Sequence, residues 1–315
     1  MRALVLDDGV CFRTSHPSPN PADGEVLVRV TRAGVCETDL QLIKGYMGFR
    51  GVLGHEFVGV AESGPFAGRR VVGEINCSCG VCETCRGGLS THCPDRTVLG
   101  ILNHDGAFAD VIAVPQRNLH LVPDSLSDDV AVFTEPVAAA FQIPAQIQVR
   151  GGDRVIVLGD GRLGNLCAQV LARLSDHVLA VGKHPAKLAL LAARGIGTAL
   201  LSDDLPARVA DVVVDCTGSD TGLPTALKLV RPRGTIVLKT TVAGAQTLAW
   251  ATLVIDEVTI VGSRCGPFDR ALAALQDGSV DVRPLVSERF PLSEGLRALD
   301  RAQDRGVLKV LLEMS

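Results

Sequence analysis

The chain has 315 residues, more than one compact core usually holds, so two domains are expected. Hydrophobic residues make up 47% of it and aromatic residues only 3%, which leaves Val, Leu, Ile and Ala to fill the cores and suits parallel strands covered by helices. The formal net charge is -4 with acids and bases interspersed, which excludes nucleic acid as an expected partner; no apolar run reaches membrane-span length, and the N-terminal MRALVLDDGV is too short and acidic for a signal peptide, so a soluble, cytoplasmic protein is expected.

To about residue 140 the chain is rich in Gly and Pro, with short β-like runs at Glu25–Val30, Arg70–Val72 and Asp110–Val114. This reads as an irregular, mostly β domain. The spacing predicts a helix over Ser125–Ala140, broken by Pro136. From Asp153 the pattern changes. Arg154–Leu158 reads as a short buried strand, followed by a Gly-rich turn and helical spacing over Leu163–Leu174. A strand at Val178–Val181, a helix over Pro185–Arg194, a strand at Asp211–Val214 and a helix over Leu223–Val230 follow, then strands at Thr235–Leu238 and Val258–Val261. Strands alternating with helices indicate parallel βαβ units. After Phe268 a helix, short strand-like pieces and a helix-plus-strand over Ser293–Leu312 complete the chain, and this tail is expected to rejoin the first domain. The fold class is therefore α/β: a mostly β domain over 1–140 and 268–315, and a doubly wound parallel sheet over 141–267.

Half of the 10 cysteines lie between Cys77 and Cys93. With no signal peptide expected, the cluster points to metal rather than disulfides. Cys79, Cys82 and Cys85 are followed by Cys93, in a lobe placed at 76–95. Four thiolates this close suit one tetrahedral Zn²⁺ and leave no open position, so this zinc is expected to be structural. The alternative, a zinc ribbon for nucleic acid or protein, is weakened by the lack of bases nearby beyond Arg86 and Arg96. Cys77 is taken as a spare.

Cys36, the adjacent His55 and Glu56, and Glu135 are candidates for a second metal. A thiolate, an imidazole and a carboxylate meet the three-ligand requirement of a catalytic zinc. Asp39 is placed to hold the His55 ring from behind.

Gly159, Gly161 and Gly164 form a G-x-G-x-x-G with Arg162 and Leu163 between them. It follows an apolar strand and opens a helix, the context in which the pattern signals a dinucleotide pyrophosphate at a helix N-terminus. NAD-binding folds place an acid at the end of the next strand. That position falls on Gly182, followed by Lys183 and His184, with Lys187 one turn on, and no acid occurs between Val178 and Ser202. NADP(H) is therefore expected in preference to NAD(H).

These motifs, taken in order, resemble the medium-chain zinc-dependent alcohol dehydrogenase superfamily over nearly the whole chain. The segments that carry the resemblance are Gly34–Leu40, Gly54–Gly59, Cys79–Cys93, Asp105–Val111, Glu135–Pro136, Gly159–Gly164 and Asp215–Gly218. The resemblance implies a GroES-like catalytic domain split around a Rossmann domain, with two zincs per chain. It implies Cys36 and His55 as catalytic ligands, Glu56 as the acid beside the zinc, and Glu135 at the third ligand position. A Glu there tilts the chain toward the polyol and sugar dehydrogenases. Thr38 matches the hydroxyl that passes the substrate proton, but the His three positions on in some relatives is Gln41 here, which cannot titrate. Thr217 and Arg264 are assigned to the cofactor. The expected reaction is hydride transfer between NADP(H) and an alcohol or polyol or its carbonyl counterpart, in a homodimer or homotetramer. The rivals are an NADPH-dependent reductase of an apolar aldehyde or ketone, and a non-catalytic dinucleotide-binding scaffold.

Overall fold

A computed structural model describes residues 1–240 and 250–314. The chain divides into two compact units, Met1–Glu135 with Val282–Ser315, and Pro136–Asp281.

The first unit is built on a sheet which, among the described residues, has seven strands. The strand Glu25–Gly34 runs antiparallel to Glu56–Ala61, Val111–Pro115 and Lys309–Glu313. Its alternation is the cause: Val26, Val28 and Val30 are buried on one face while Arg29 is exposed on the other. Lys309–Glu313 pairs in parallel with Val286–Pro291, the two linked through the helix Gly295–Ala302.

The second unit holds a sheet of six parallel strands among the described residues. In spatial order they are Gly197–Leu200, His177–Gly182, Arg154–Leu158, Ala210–Asp215, Val230–Leu238 and Thr259–Gly262. This is the doubly wound order 3-2-1-4-5-6, which places the ends of the first two strands at a dinucleotide site. One face is packed by Leu223, Ala226 and Leu229 of the helix Gly222–Leu229 against Ile156, Val213 and Ile236.

Three expectations change. Pro136 breaks no helix: it lies in the first turn of Thr134–Gln146, where its missing N–H has no intrahelical partner to lose, and the break falls instead between the helix Asp128–Ala131 and Thr134. The strand Gly197–Leu200 was not expected, because its sequence GTAL has only one β-branched residue and lacks the apolar run that marks the other strands. The return to the first unit comes at 282 rather than 268. The helix Phe268–Gln276 and the segment after it belong to the second unit, where the Gln169 side chain donates to Asp281 O at 3.0 Å and accepts from its N–H at 2.8 Å.

Candidate metal centres and dinucleotide loop

The register of the first sheet assembles the candidate catalytic centre. Gly34 lies opposite Glu56 on one side and Leu311 on the other. Just past that strand end come Cys36 and the helix Glu37–Ile43. Asp39, fully buried in the first turn, accepts from the Cys36 amide at 2.8 Å and the Gly54 amide at 3.3 Å, and its Oδ1 lies 3.3 Å from His55 Nδ1. One carboxylate thus fixes both segments and turns the imidazole, leaving Nε2 as the nitrogen available to a metal. Cys36, His55 and Glu56 each bring a donor atom to within 4.8 Å of the others.

Glu56 and Lys309 form an ion pair in which each side chain is 1% exposed. Lys309 Nζ also donates to Val35 O at 3.2 Å and lies 5.4 Å from the centre of the Phe133 ring. Gly34 makes this possible, since a Cβ there would stand 2.4 Å from Glu56 Oε2 and 3.1 Å from Lys309 Cε. Glu135, in the first turn of Thr134–Gln146, is not among the three donors brought together. Thr38 Oγ1 lies 3.9 Å from Cys36 Sγ, beside the donors. Gln41 instead extends along the exposed side of its helix and donates to Glu37 at 2.7 Å. Lys309 was invisible to sequence reasoning, because only strand pairing brings it to Glu56.

The chemistry of the centre fits zinc. A sulfur, an imidazole and a carboxylate converge in a mostly buried place beside Asp39. Burial pushes the His55 imidazole toward neutrality, but Asp39 and Cys36 outweigh it and hold the ring well above its usual range. A cation is what such surroundings favour, and borderline-soft Zn²⁺ matches the donors.

In the lobe, Cys79, Cys82, Cys85 and Cys93 form the second donor group. The sulfurs of Cys79 and Cys85 are 4.0 Å apart, those of Cys82 and Cys93 3.8 Å, and those of Cys93 and Cys79 3.6 Å. A tetrahedron with Zn–S bonds of about 2.3 Å has edges of ~3.8 Å, whereas a disulfide requires about 2.05 Å. The amides of Val81 and Cys82 bring the Cys79 thiol down to about 6, while burial and the Cys82 sulfur push Cys85 up to about 11. Cys77 lies outside the group, buried and pushed up to about 11 by that burial.

In the second unit, the Gly159–Gly164 loop leaves the first strand and enters the helix Arg162–Leu171. Gly159 has φ +110°, and a Cβ on Gly164 would stand 1.9 Å from Gly159 O, so both glycines are sterically required. Arg162 and Leu163 form the first turn, each partly buried. Thr217, just past the strand Ala210–Asp215, donates from its amide and hydroxyl to the buried Asp215 at 2.9 and 2.7 Å. Arg264 is exposed, with its carbonyl accepting from Lys239.

Gly182 ends the second strand, Lys183 is exposed, His184 and Lys187 are half-buried. An acid is nevertheless present there. Asp160 Oδ2 accepts from the Lys183 amide at 2.7 Å and the His184 amide at 2.6 Å, and both its oxygens lie 3.1 Å from His184 Nδ1. Sequence reasoning missed it by looking for an acid only along the second strand. The available signal was an Asp as the second residue of the G-x-G.

Residues 22–124 match the alcohol dehydrogenase GroES-like domain and residues 163–277 the zinc-binding dehydrogenase domain. The chain is 29% identical to a sorbitol dehydrogenase of Halalkalibacterium halodurans over 340 aligned positions, 99% of each protein. It is similar to the crystal structure of a zinc-binding dehydrogenase from Sinorhizobium meliloti 1021 bound to NADP, with a TM-score of 0.89, 25% identity, and coverage of 99% of this chain and 98% of that one. It is equally similar to an alcohol dehydrogenase from E. coli CFT073 complexed with NADH, with a TM-score of 0.90, 25% identity, and coverage of 100% and 99%.

Proposed function

The chain belongs to the zinc-dependent alcohol dehydrogenase family, in its polyol-like branch, and is an oxidoreductase; from that premise we propose that it transfers a hydride between a nicotinamide dinucleotide and a polyol or related alcohol, or the corresponding carbonyl. The observation that carries this reading is the convergence of Cys36, His55 and Glu56 on one point beside the Thr38 hydroxyl. Zinc held there would supply a Lewis acid for the substrate oxygen, and the dinucleotide the hydride acceptor or donor.

The chain's own residues do the rest. Cys36 and His55 hold the metal, with Asp39 fixing the ring that ligates. Glu56 is the carboxylate of the donor set, restrained by Lys309, and Glu135 is the alternative third ligand. Thr38 takes the substrate's hydroxyl proton, and that proton leaves by solvent or cofactor hydroxyls, since Gln41 cannot titrate and is engaged with Glu37. Cys79, Cys82, Cys85 and Cys93 hold a second, structural zinc. In the other unit Gly159, Gly161 and Gly164 receive the pyrophosphate, with Arg162, Leu163, Thr217 and Arg264 serving the rest of the dinucleotide. On its charge form the indications divide. The lack of an acid from Val178 to Ser202 speaks for NADP(H) with Lys183, His184 and Lys187 around the 2′-phosphate, and the position of Asp160 speaks against it. We read the assembly as a homodimer or homotetramer, to which the exposed Trp250, Val254 and Ile255 would be suited. Among the described residues no helix is long and apolar enough to cross a membrane.

Cys36→Ser is the test: zinc content should fall by about one ion per chain, with turnover of sorbitol-like polyols lost. Unchanged zinc and turnover would refute the assignment. A profile favouring apolar aldehydes would support the reductase reading, and one zinc per chain without turnover would support the scaffold.

A further inference from the structure

The strand His177–Gly182 ends without a side chain, and the space so left is filled. A Cβ built on Gly182 would stand 2.4 Å from both Cβ and Oδ2 of Asp160 and 2.5 Å from its Cγ. The Asp160 side chain thus occupies the volume that a residue at position 182 would use. It is held by two backbone amides and the His184 ring, and the residue is 8% exposed. Burial raises its proton affinity, but His184 and the two amides more than compensate, so the carboxylate is held below its usual range and stays ionised.

Two consequences follow for a dinucleotide seated on the Gly159–Gly164 loop. A carboxylate stands at the end of the second strand, where an acid hydrogen-bonds the adenosine ribose hydroxyls in NAD-binding folds. The Lys183 and His184 amides, which a glycine-ended strand would otherwise offer to a 2′-phosphate, already serve that carboxylate. A phosphate entering there would meet a fixed negative charge and find its donors engaged. Lys183 and Lys187 offer a phosphate charge from flexible stems, whereas Asp160 is anchored at the seat itself.

We infer that Asp160 is the residue that selects the dinucleotide, standing in from the first loop for the acid missing on the second strand, and that the chain binds NAD(H) more tightly than NADP(H). This rests on the Gly159–Gly164 loop being a dinucleotide site and reverses the cofactor choice expected from the strand alone.

The test is direct binding of NADH and NADPH to the zinc-loaded protein, followed by nicotinamide fluorescence and calorimetry in the absence of substrate. The native protein should bind NADH at least about tenfold more tightly than NADPH. Asp160→Asn, which keeps an acceptor for the amides but removes the charge, should shift the affinity ratio toward NADPH by about tenfold or more. The double variant Asp160→Gly, Gly182→Asp moves the acid onto the strand and should restore the native preference; with the native ratio, it decides the matter if Asp160→Asn fails to fold. A native preference for NADPH would overturn the inference. So would a proportionate fall in both affinities with Asp160→Asn, the mark of a loop staple without a role in selection. Binding of neither dinucleotide by the native protein would overturn the loop reading itself, and this inference with it.

Discussion

Lys309→Met deletes the cation that faces Glu56 and keeps most of the stem that packs near Phe133. Both members of the pair are 1% exposed, so the remaining carboxylate has no access to water that could replace the lost ammonium. Asp39 and Cys36 stand nearby and add to the negative surroundings, which a zinc held by Cys36, His55 and Glu56 would offset in part, so the loss is largest in the zinc-free protein. Removing one partner of a buried ion pair costs about 3–5 kcal/mol. At about 2–4 °C per kcal/mol for a unit of this size, Tm should fall by ~6–20 °C. Adding Glu56→Gln to Lys309→Met should recover much of that loss, since no uncompensated charge is left, whereas Glu56→Gln by itself should be destabilising. Thermal unfolding by circular dichroism gives the shift, and elemental analysis of the same samples gives zinc content. The folded fraction of Lys309→Met should keep its zinc with lowered kcat, because Glu56, the carboxylate of the donor set, has then lost the contact that fixes its position. A Tm within ~1 °C of native, together with unchanged kcat, would refute both the stabilising and the restraining role of Lys309.

Three further outcomes are expected. Cys93→Ser should leave about one zinc per chain by elemental analysis and lower Tm, because three sulfurs cannot close the tetrahedron; two zincs retained at the native Tm would remove the structural site. Asp39→Asn should reduce zinc affinity or kcat/KM by about 10–100-fold, measured by competition with a chelating dye and by steady-state turnover, since the imidazole loses the anion that orients it. Asp160, with its folded pKa depressed, contributes stability that is fully present above the ordinary carboxylate value of about 3.9 and is lost as pH falls through its lower folded value. The Tm deficit of Asp160→Asn relative to the native protein, followed by circular dichroism, should therefore be constant from neutral pH down to about 4 and shrink below it; a deficit that does not change on acidification would remove the ionised carboxylate as its cause.

The alternation of strands and helices after Asp153 was legible because buried parallel strands carry continuous apolar runs, and Val155–Leu158 and Val212–Val214 stand out as such. The sequence was less informative where tertiary context decides. Gly197–Leu200 is a strand only because His177–Gly182 offers it an edge. The helix Phe268–Gln276 carries no mark of which core it will join; the Gln169 hydrogen bonds to Asp281 help hold its end in the second unit. The four cysteines of the lobe were legible because they lie in one short segment, where spacing along the chain is nearly spacing in space. Cys36 and His55 lie farther apart, and their motif meant little until the other motifs were read with it.

Lys309 and Asp160 mark where spacing stops being informative. Lys309 completes a site from outside the motif that names it, and Asp160 from a position that its motif leaves open. Lys309 is 253 residues from Glu56, and its one local trace is Gly34, a residue small enough to let the pair form. Asp160 is 23 residues from the Lys183 amide it accepts, and its trace is likewise a glycine, Gly182. Read along the strand, Gly182 is an acid that is missing. Read in space, it is the room that an acid on the neighbouring loop requires, because a side chain at 182 and the carboxylate of Asp160 cannot occupy the same volume. A glycine at a strand end and an acid one strand over are then a single feature. On our inference, the cofactor choice read from the strand position alone is reversed here by the charge on the adjoining loop.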